Sequence, residues 1–202
     1  MKALHVTVFT IFILIFAGCA IKPNVETINT YNLAIDTLGA KEVTQVCSNR
    51  SISISMPKGV LGIHDTKIYY SRFDGEFQPY SASYWAELPA LSIRRAFVYN
   101  LTNSNIFSSV TQGNFANKDG YLLDSNVFLF EQKIKDENSF VNFGIIFTLI
   151  DTKTREVVVN KEILIKKDTP SLNAKGAVLA FNEALKDMNS ELNLWLKKAV
   201  CE

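Results

Sequence analysis

The chain has 202 residues, 48% of them apolar and 20% charged, the profile of a globular protein of one domain or at most two small ones. Lys and Arg total 21 against 20 Asp and Glu, so the electrostatic footprint of a nucleic-acid binder is missing. With two His and three Cys there is little material for His-based catalysis or a transition-metal cage, and composition argues against most familiar enzyme chemistries.

Met1 and Lys2 give a positive start, Val6 to Phe16 run apolar except for Thr7 and Thr10, and Phe16-Ala17-Gly18-Cys19 closes the segment. That is a secretory signal layout. The apolar run is about 11 residues, well short of the ~20 that a membrane-spanning helix needs. Small residues at the two positions before Cys19 resemble the lipobox of bacterial lipoproteins. The resemblance implies a signal peptide over 1–18 and a Cys19 that carries diacylglyceryl and palmitate and becomes the new N-terminus. Phe16 stands where the motif usually has Leu, and the competing reading is an ordinary signal peptide with an incidental Cys. Ala20 occupies the position where an inner-membrane retention signal has Asp, which implies sorting to the periplasmic face of the outer membrane. Residues 19–30 then read as lipidated Cys and polar tether, and 31–202 as a single folded domain.

With Cys19 acylated, Cys47 and Cys201 are the remaining thiols, and the periplasm is oxidising. Two Cys allow one connectivity, so a Cys47–Cys201 disulfide is expected ahead of two unpaired thiols. In the chain-entropy model that loop contributes roughly 4–5 kcal/mol.

In chain order, Tyr31 to Ile35 can form a short strand. Ser51 to Met56 alternates strictly, with Ile52, Ile54 and Met56 on one face and three serines on the other, which predicts a half-buried strand ending at Pro57. Gly59 to Asp65 reads as a loop, Lys67 to Phe73 as a strand, and Asp74-Gly75 as a hairpin turn into Phe77 to Ser81. From Glu87 to Leu101 the period changes to three and four, with Leu88, Leu91, Arg95, Val98 and Leu101 as the stripe of a helix that tolerates Pro89 in its first turn. Ile106 to Val110 reads as a strand and Gly113 to Gly120 as a loop. Tyr121 to Lys135, Ser139 to Asp151 and Glu156 to Lys166 then predict an antiparallel meander. Val178, Phe181, Leu185, Met188, Leu192 and Trp195 predict a long amphipathic helix at the C-terminus. Strands with one apolar face and two helices with one apolar stripe are satisfied by a two-layer α+β domain, a mostly antiparallel sheet packed by two helices.

No phosphate loop, nucleophile elbow or zinc-protease helix occurs. His64 is the one His outside the signal segment, and beside Asp65 it reads as turn chemistry. Asp119, Asp124 and Asp151 fall near turns or strand ends, with nothing that sets two carboxylates face to face. The expectation is a non-enzyme with no cofactor and no metal. Tyr69 and Tyr70 point to opposite faces of their strand, so one of them lies outside the core. Trp85 is either an anchor that packs helix on sheet or an interface hot spot.

Four pieces together resemble the ABC-type transport auxiliary lipoproteins, the family of paraquat-inducible protein C, also described as YmbA-like. They are the lipobox with Tyr31-Asn32-Leu33 soon after, the Pro57 to Arg72 stretch ending Ile68-Tyr69-Tyr70-Ser71-Arg72, Tyr84-Trp85-Ala86-Glu87-Leu88-Pro89 opening a helix, and the helix ending Leu194-Trp195-Leu196. Gly59-Val60-Leu61-Gly62 departs from the family's Tyr-Leu-Asp-like version. The resemblance implies an accessory of a lipid transport system, anchored in the outer membrane, that docks a periplasm-spanning MCE-domain protein and through it an ABC permease and ATPase. Tyr69, Tyr70, Arg72 and Trp85 are the candidate partner contacts. A lipoprotein that scaffolds or activates a cell-wall synthesis enzyme is the alternative. Self-association is left open, and no nucleic-acid partner is expected.

Overall fold

The computed structural model describes residues 27–34, 47–72, 75–113 and 119–201. The signal segment, Cys19 and Asp74 of the expected hairpin turn lie outside them. The elements are β1 (Asn29–Tyr31), β2 (Ser51–Ile54), β3 (Lys58–Gly59), a 3-10 turn (Leu61–Ile63), β4 (Lys67–Ser71), β5 (Gln78–Trp85), α1 (Pro89–Ser104), β6 (Val110–Gln112), β7 (Gly120–Lys135), β8 (Asn138–Asp151), β9 (Val157–Asp168) and α2 (Ala174–Cys201). They form one α+β domain, a nine-stranded mixed sheet packed by two helices.

The sheet is organised around β7. Along one edge it pairs antiparallel with β8 from Tyr121–Asp151 to Lys135–Asn138, and β8 pairs antiparallel with β9, which is the expected meander. Along the other edge it takes three short segments in turn, all parallel: β2 at Ser51–Gly120, β3 at Lys58–Asn126 and β4 at Tyr70–Gln132. Residues 51–71 therefore run beside β7 as one interrupted strand, broken at Pro57 and at the 3-10 turn. The parallel half of the sheet was not legible in the periodicity, because period two is the same in both pairings. Gly59 belongs to this device: its φ is +134°, and a Cβ there would lie 1.9 Å from the Val127 carbonyl oxygen.

The expectations for β2 and α1 need correction. Strand β2 is buried on both faces, not half-buried, and both of its edges are paired, with β6 and β7. Its serines are small and find partners there: Ser53 Oγ donates to the Gly113 carbonyl at 2.6 Å and the nearby Ser55 Oγ to Asp124 at 2.7 Å. In α1 the buried face is Ala90, Ile93, Ala96, Phe97 and Leu101, not the stripe through Leu91 and Arg95. Small Ala and Ser positions let the helix approach the sheet, while Arg95 points out to pair with Glu87.

The core lies between the sheet and both helices. On β8, Val141, Phe143, Ile145, Phe147 and Leu149 are fully buried against Val178, Phe181, Leu185, Met188 and Leu192 of α2. The domain starts earlier than residue 31. Asn29 and Thr30 pair in parallel with Ser83 and Tyr84 of β5, Leu33 enters the core, and the Ala34 N–H donates to Asn182 Oδ1 at 2.9 Å. At the other end of the chain Cys47 and Cys201 are joined by a disulfide, with Cα atoms 5.6 Å apart, which ties the last turn of α2 to the segment before β2.

Candidate functional site

Tyr69 and Tyr70 do point to opposite sides of β4. Tyr70 shares the helix side with Tyr80, ring centroids 4.7 Å apart, and the Arg72 guanidinium lies 5.6 Å from the Tyr70 centroid. The Tyr80 hydroxyl reaches Gln132 Oε1 at 2.7 Å and the Leu172 carbonyl at 3.0 Å, and burial pushes its pKa up to about 12. Tyr70 and Arg72 thus form an exposed rim above a buried polar network. Tyr69 is on the opposite, outer side, where its ring stacks on Phe77 at 4.4 Å and its hydroxyl donates to Asp65 Oδ2 at 2.6 Å. That hydrogen bond to a carboxylate, with burial added, raises the phenol to about 12.

Trp85 is not a partner contact. It is 3% exposed and packs against Phe130 and Phe181, with centroids 6.0 and 5.9 Å away, because β5 delivers it under α2. Of the four candidate contacts, Tyr69 and Trp85 are thus core or near-core, and the structure leaves Tyr70 and Arg72 accessible. The aspartates have structural duties: Asp151 receives Arg50 at 2.9 Å, and Asp119 stands 3.4 Å from the same guanidinium. Asp151 is also held below the usual carboxylate range, first by the Thr154 N–H in the turn and then by Arg50 and the Lys153 N–H.

The outer side carries a feature that alternation does not show. A β-bulge between Val127 and Leu129 leaves Phe128 out of register, so that two successive apolar residues meet the outer face. The Phe128 ring lies over Gly144 of β8, where a Cβ would stand 2.6 Å from the ring edge. Beside it opens an apolar cleft of about 330 Å³, lined by Leu61, Phe77, Phe128 and Leu129 with Glu131 at the rim. Leu61 is 59% exposed and Phe77 42%, and the apolar surface continues in register from Leu129 through Gly144 to Leu164, with Ile146 alongside. Exposed apolar side chains gathered beside a cleft make this face the candidate interaction surface. The only signals for it in the sequence are Leu61 in a loop and a doubled Phe128-Leu129 inside an alternating strand. Among the described residues no group of three or more His, Cys, Asp or Glu could hold a metal ion, and no helix is long and apolar enough to cross a membrane.

No family model and no curated protein matches the chain. Solved structures do match in fold. Protein XCC0632 from Xanthomonas campestris, of the DUF330 family model, aligns with a TM-score of 0.74 at 17% identity over 85% of this chain and 95% of that one. An uncharacterised protein aligns at 0.67 and 13% identity, covering 85% and 99%. A minor lipoprotein from Acinetobacter baumannii is a more distant match, 0.43 and 8% identity over 74% and 92%. The first two likenesses show a shared fold.

Proposed function

We propose that the chain is a non-catalytic lipoprotein, anchored through Cys19 at the periplasmic face of the outer membrane. In this reading it serves an MCE/ABC-type lipid transport system by docking the MCE component. The observation that carries this is the cleft framed by Leu61, Phe77, Phe128 and Leu129, a preformed apolar seat on the side of the sheet that the helices leave open. The lipobox-like N-terminus and the resemblance of the Tyr84 to Pro89 segment supply the compartment and the partner class.

The cleft fits a protein partner by its anatomy: an apolar centre with aromatic side chains, and a polar rim at Glu131. Tyr70, at the end of β4 beside Gln132 of β7, and Arg72, which follows it, lie on the other side of the sheet and are the second candidate contact. The test is co-purification from envelope extracts of the full chain, wild type against Leu61→Asp, Phe77→Asp and the pair Tyr70→Ala, Arg72→Ala. Wild type should bring down the MCE-domain protein, and the two cleft variants should lose it while still forming the disulfide. Undiminished capture by every variant overturns the cleft as the docking site. Recovery of a cell-wall synthase instead by the wild type favours the scaffold alternative.

A further inference from the structure

The sheet topology gives the domain two poles. Strand β1 runs parallel to β5, β5 antiparallel to β4, and β4 parallel to β7, so β1 starts toward the end of the sheet that holds the β7–β8 turn. Thr30 is level with Lys67, and from there to Lys135 is about six strand positions, or roughly 20 Å. Ten residues lie between Cys19 and Thr30, and the eleven steps from one to the other reach at most about 38 Å. A chain leaving along its own strand direction passes this pole with length to spare. Doubling back to the pole at Gly120, some nine positions or about 30 Å the other way, uses most of its reach.

The near pole is concave. Between the β7–β8 turn and the β9–α2 link opens a cleft of about 670 Å³, within the range of about 300–1,000 Å³ of small-ligand sites. Its charged lining has both signs: Lys135 and Lys166 against Asp136, Glu137 and Asp168. Among the described residues none of these five forms an ion pair. Lys166 is instead held over the Phe140 ring, its Nζ 3.7 Å from the centroid. Leu172, 44% exposed, stands at the margin. Unpaired cations and carboxylates around one cleft, with carboxylates in excess, suit a zwitterion whose cationic end is exposed and disfavour a purely anionic group.

From the tether direction and this lining we infer that the near pole rests on the bilayer and that its cleft takes the phosphoethanolamine headgroup of a phospholipid. The headgroup phosphate meets Lys135 and Lys166, and its ammonium meets Asp136, Glu137 and Asp168. The inference rests on the lipid anchor proposed above and is independent of the docking partner. It leaves the outer apolar face at right angles to the membrane and open to the periplasm.

Hydrogen exchange on the full acylated chain tests it. The protein is reconstituted in vesicles of phosphatidylethanolamine with phosphatidylglycerol, in vesicles of phosphatidylglycerol alone, and in detergent micelles, and its acylation is read from intact mass. In the mixed vesicles the amides at 136–140 and 168–173 should slow on the order of tenfold relative to micelles, while those at 152–156, at the other pole, do not change. Lys135→Glu with Lys166→Glu should abolish the slowing, and Asp168→Asn should weaken it, with the thermal transition kept. Equal slowing in phosphatidylglycerol alone overturns the zwitterion assignment. Slowing at 152–156, or at neither pole, in an acylated chain overturns the orientation. An unacylated mass overturns the anchor itself.

Discussion

The two faces of the β7–β8 ribbon are made by the same strands and do opposite things. On the helix side, β8 presents five large apolar side chains in strict alternation, all fully buried. On the outer side the same strand presents Phe140, Asn142, Gly144, Ile146, Thr148 and Ile150, a mixed row on the face turned away from α2. The helix side is stabilised by burial, at roughly 25 cal/mol per Å² of apolar surface. The outer side keeps apolar surface in water, gathered where the bulge at Phe128 and the missing side chain of Gly144 make room for it. The first face builds the domain and the second is left for something else to cover.

Four substitutions, two of them combined in a double variant, test that division. Phe143→Ala removes a fully buried ring from the helix side and should cost about 3–5 kcal/mol, read as a lower midpoint in urea unfolding with an unchanged slope. A loss below about 1 kcal/mol would mean that the core collapses around the gap and that this face is less tightly packed than its burial indicates. Gly144→Ala, one residue further on and facing outward, drives a Cβ into the Phe128 ring and should cost about 1–3 kcal/mol. The Phe128→Ala, Gly144→Ala double variant should recover most of that cost relative to Phe128→Ala, since the three atoms nearest the added Cβ all belong to this ring. Leu61→Ser lies wholly on the outer side and should change stability by no more than about 0.5 kcal/mol while weakening partner capture. A large loss of stability there would make the cleft a structural feature.

The helix side was legible and the outer side was not, for one physical reason. Burial against a continuous helix enforces period two in β8 and the three-and-four step of α2, so the positions from Val141 to Leu149 and from Val178 to Leu192 can be read directly. The outer cleft depends on a register shift, a 3-10 turn and a hairpin return that bring Leu61, Phe77 and Phe128 together from three segments, and no local pattern encodes that meeting. The α1 stripe misleads for a related reason. Leu91 and Val98 are only partly covered, whereas Ala90 and Ala96 are buried because small side chains permit close packing. Trp85 and Tyr69 illustrate the same limit: an aromatic on a strand can serve core or surface, and only the packing of α2 and Phe77 decides which.

Tyr69 offers the smallest and most local measurement of how closed the outer side is. Its hydroxyl donates to Asp65, and the folded phenol is raised to about 12, above the ordinary tyrosine value of 10.0. A group that holds its proton more tightly when folded stabilises the fold at every pH below its unfolded value. That contribution is lost as pH rises from about 10 to about 12. The stability of the wild type should therefore decline across this window, and Asp65→Ala should flatten part of the decline by removing the acceptor. Tyrosinate absorbance should show the same shift, with Tyr69 and Tyr80 both titrating late in the wild type and Tyr69 alone moving toward 10 in the variant. Tyr80 is also raised to about 12 but by burial on the helix side, so it titrates late in both proteins and serves as the internal control. If the variant leaves the late-titrating population unchanged, Tyr69 is not held by Asp65 in solution, and the Phe77 edge of the cleft lacks the anchor that the stacked pair requires.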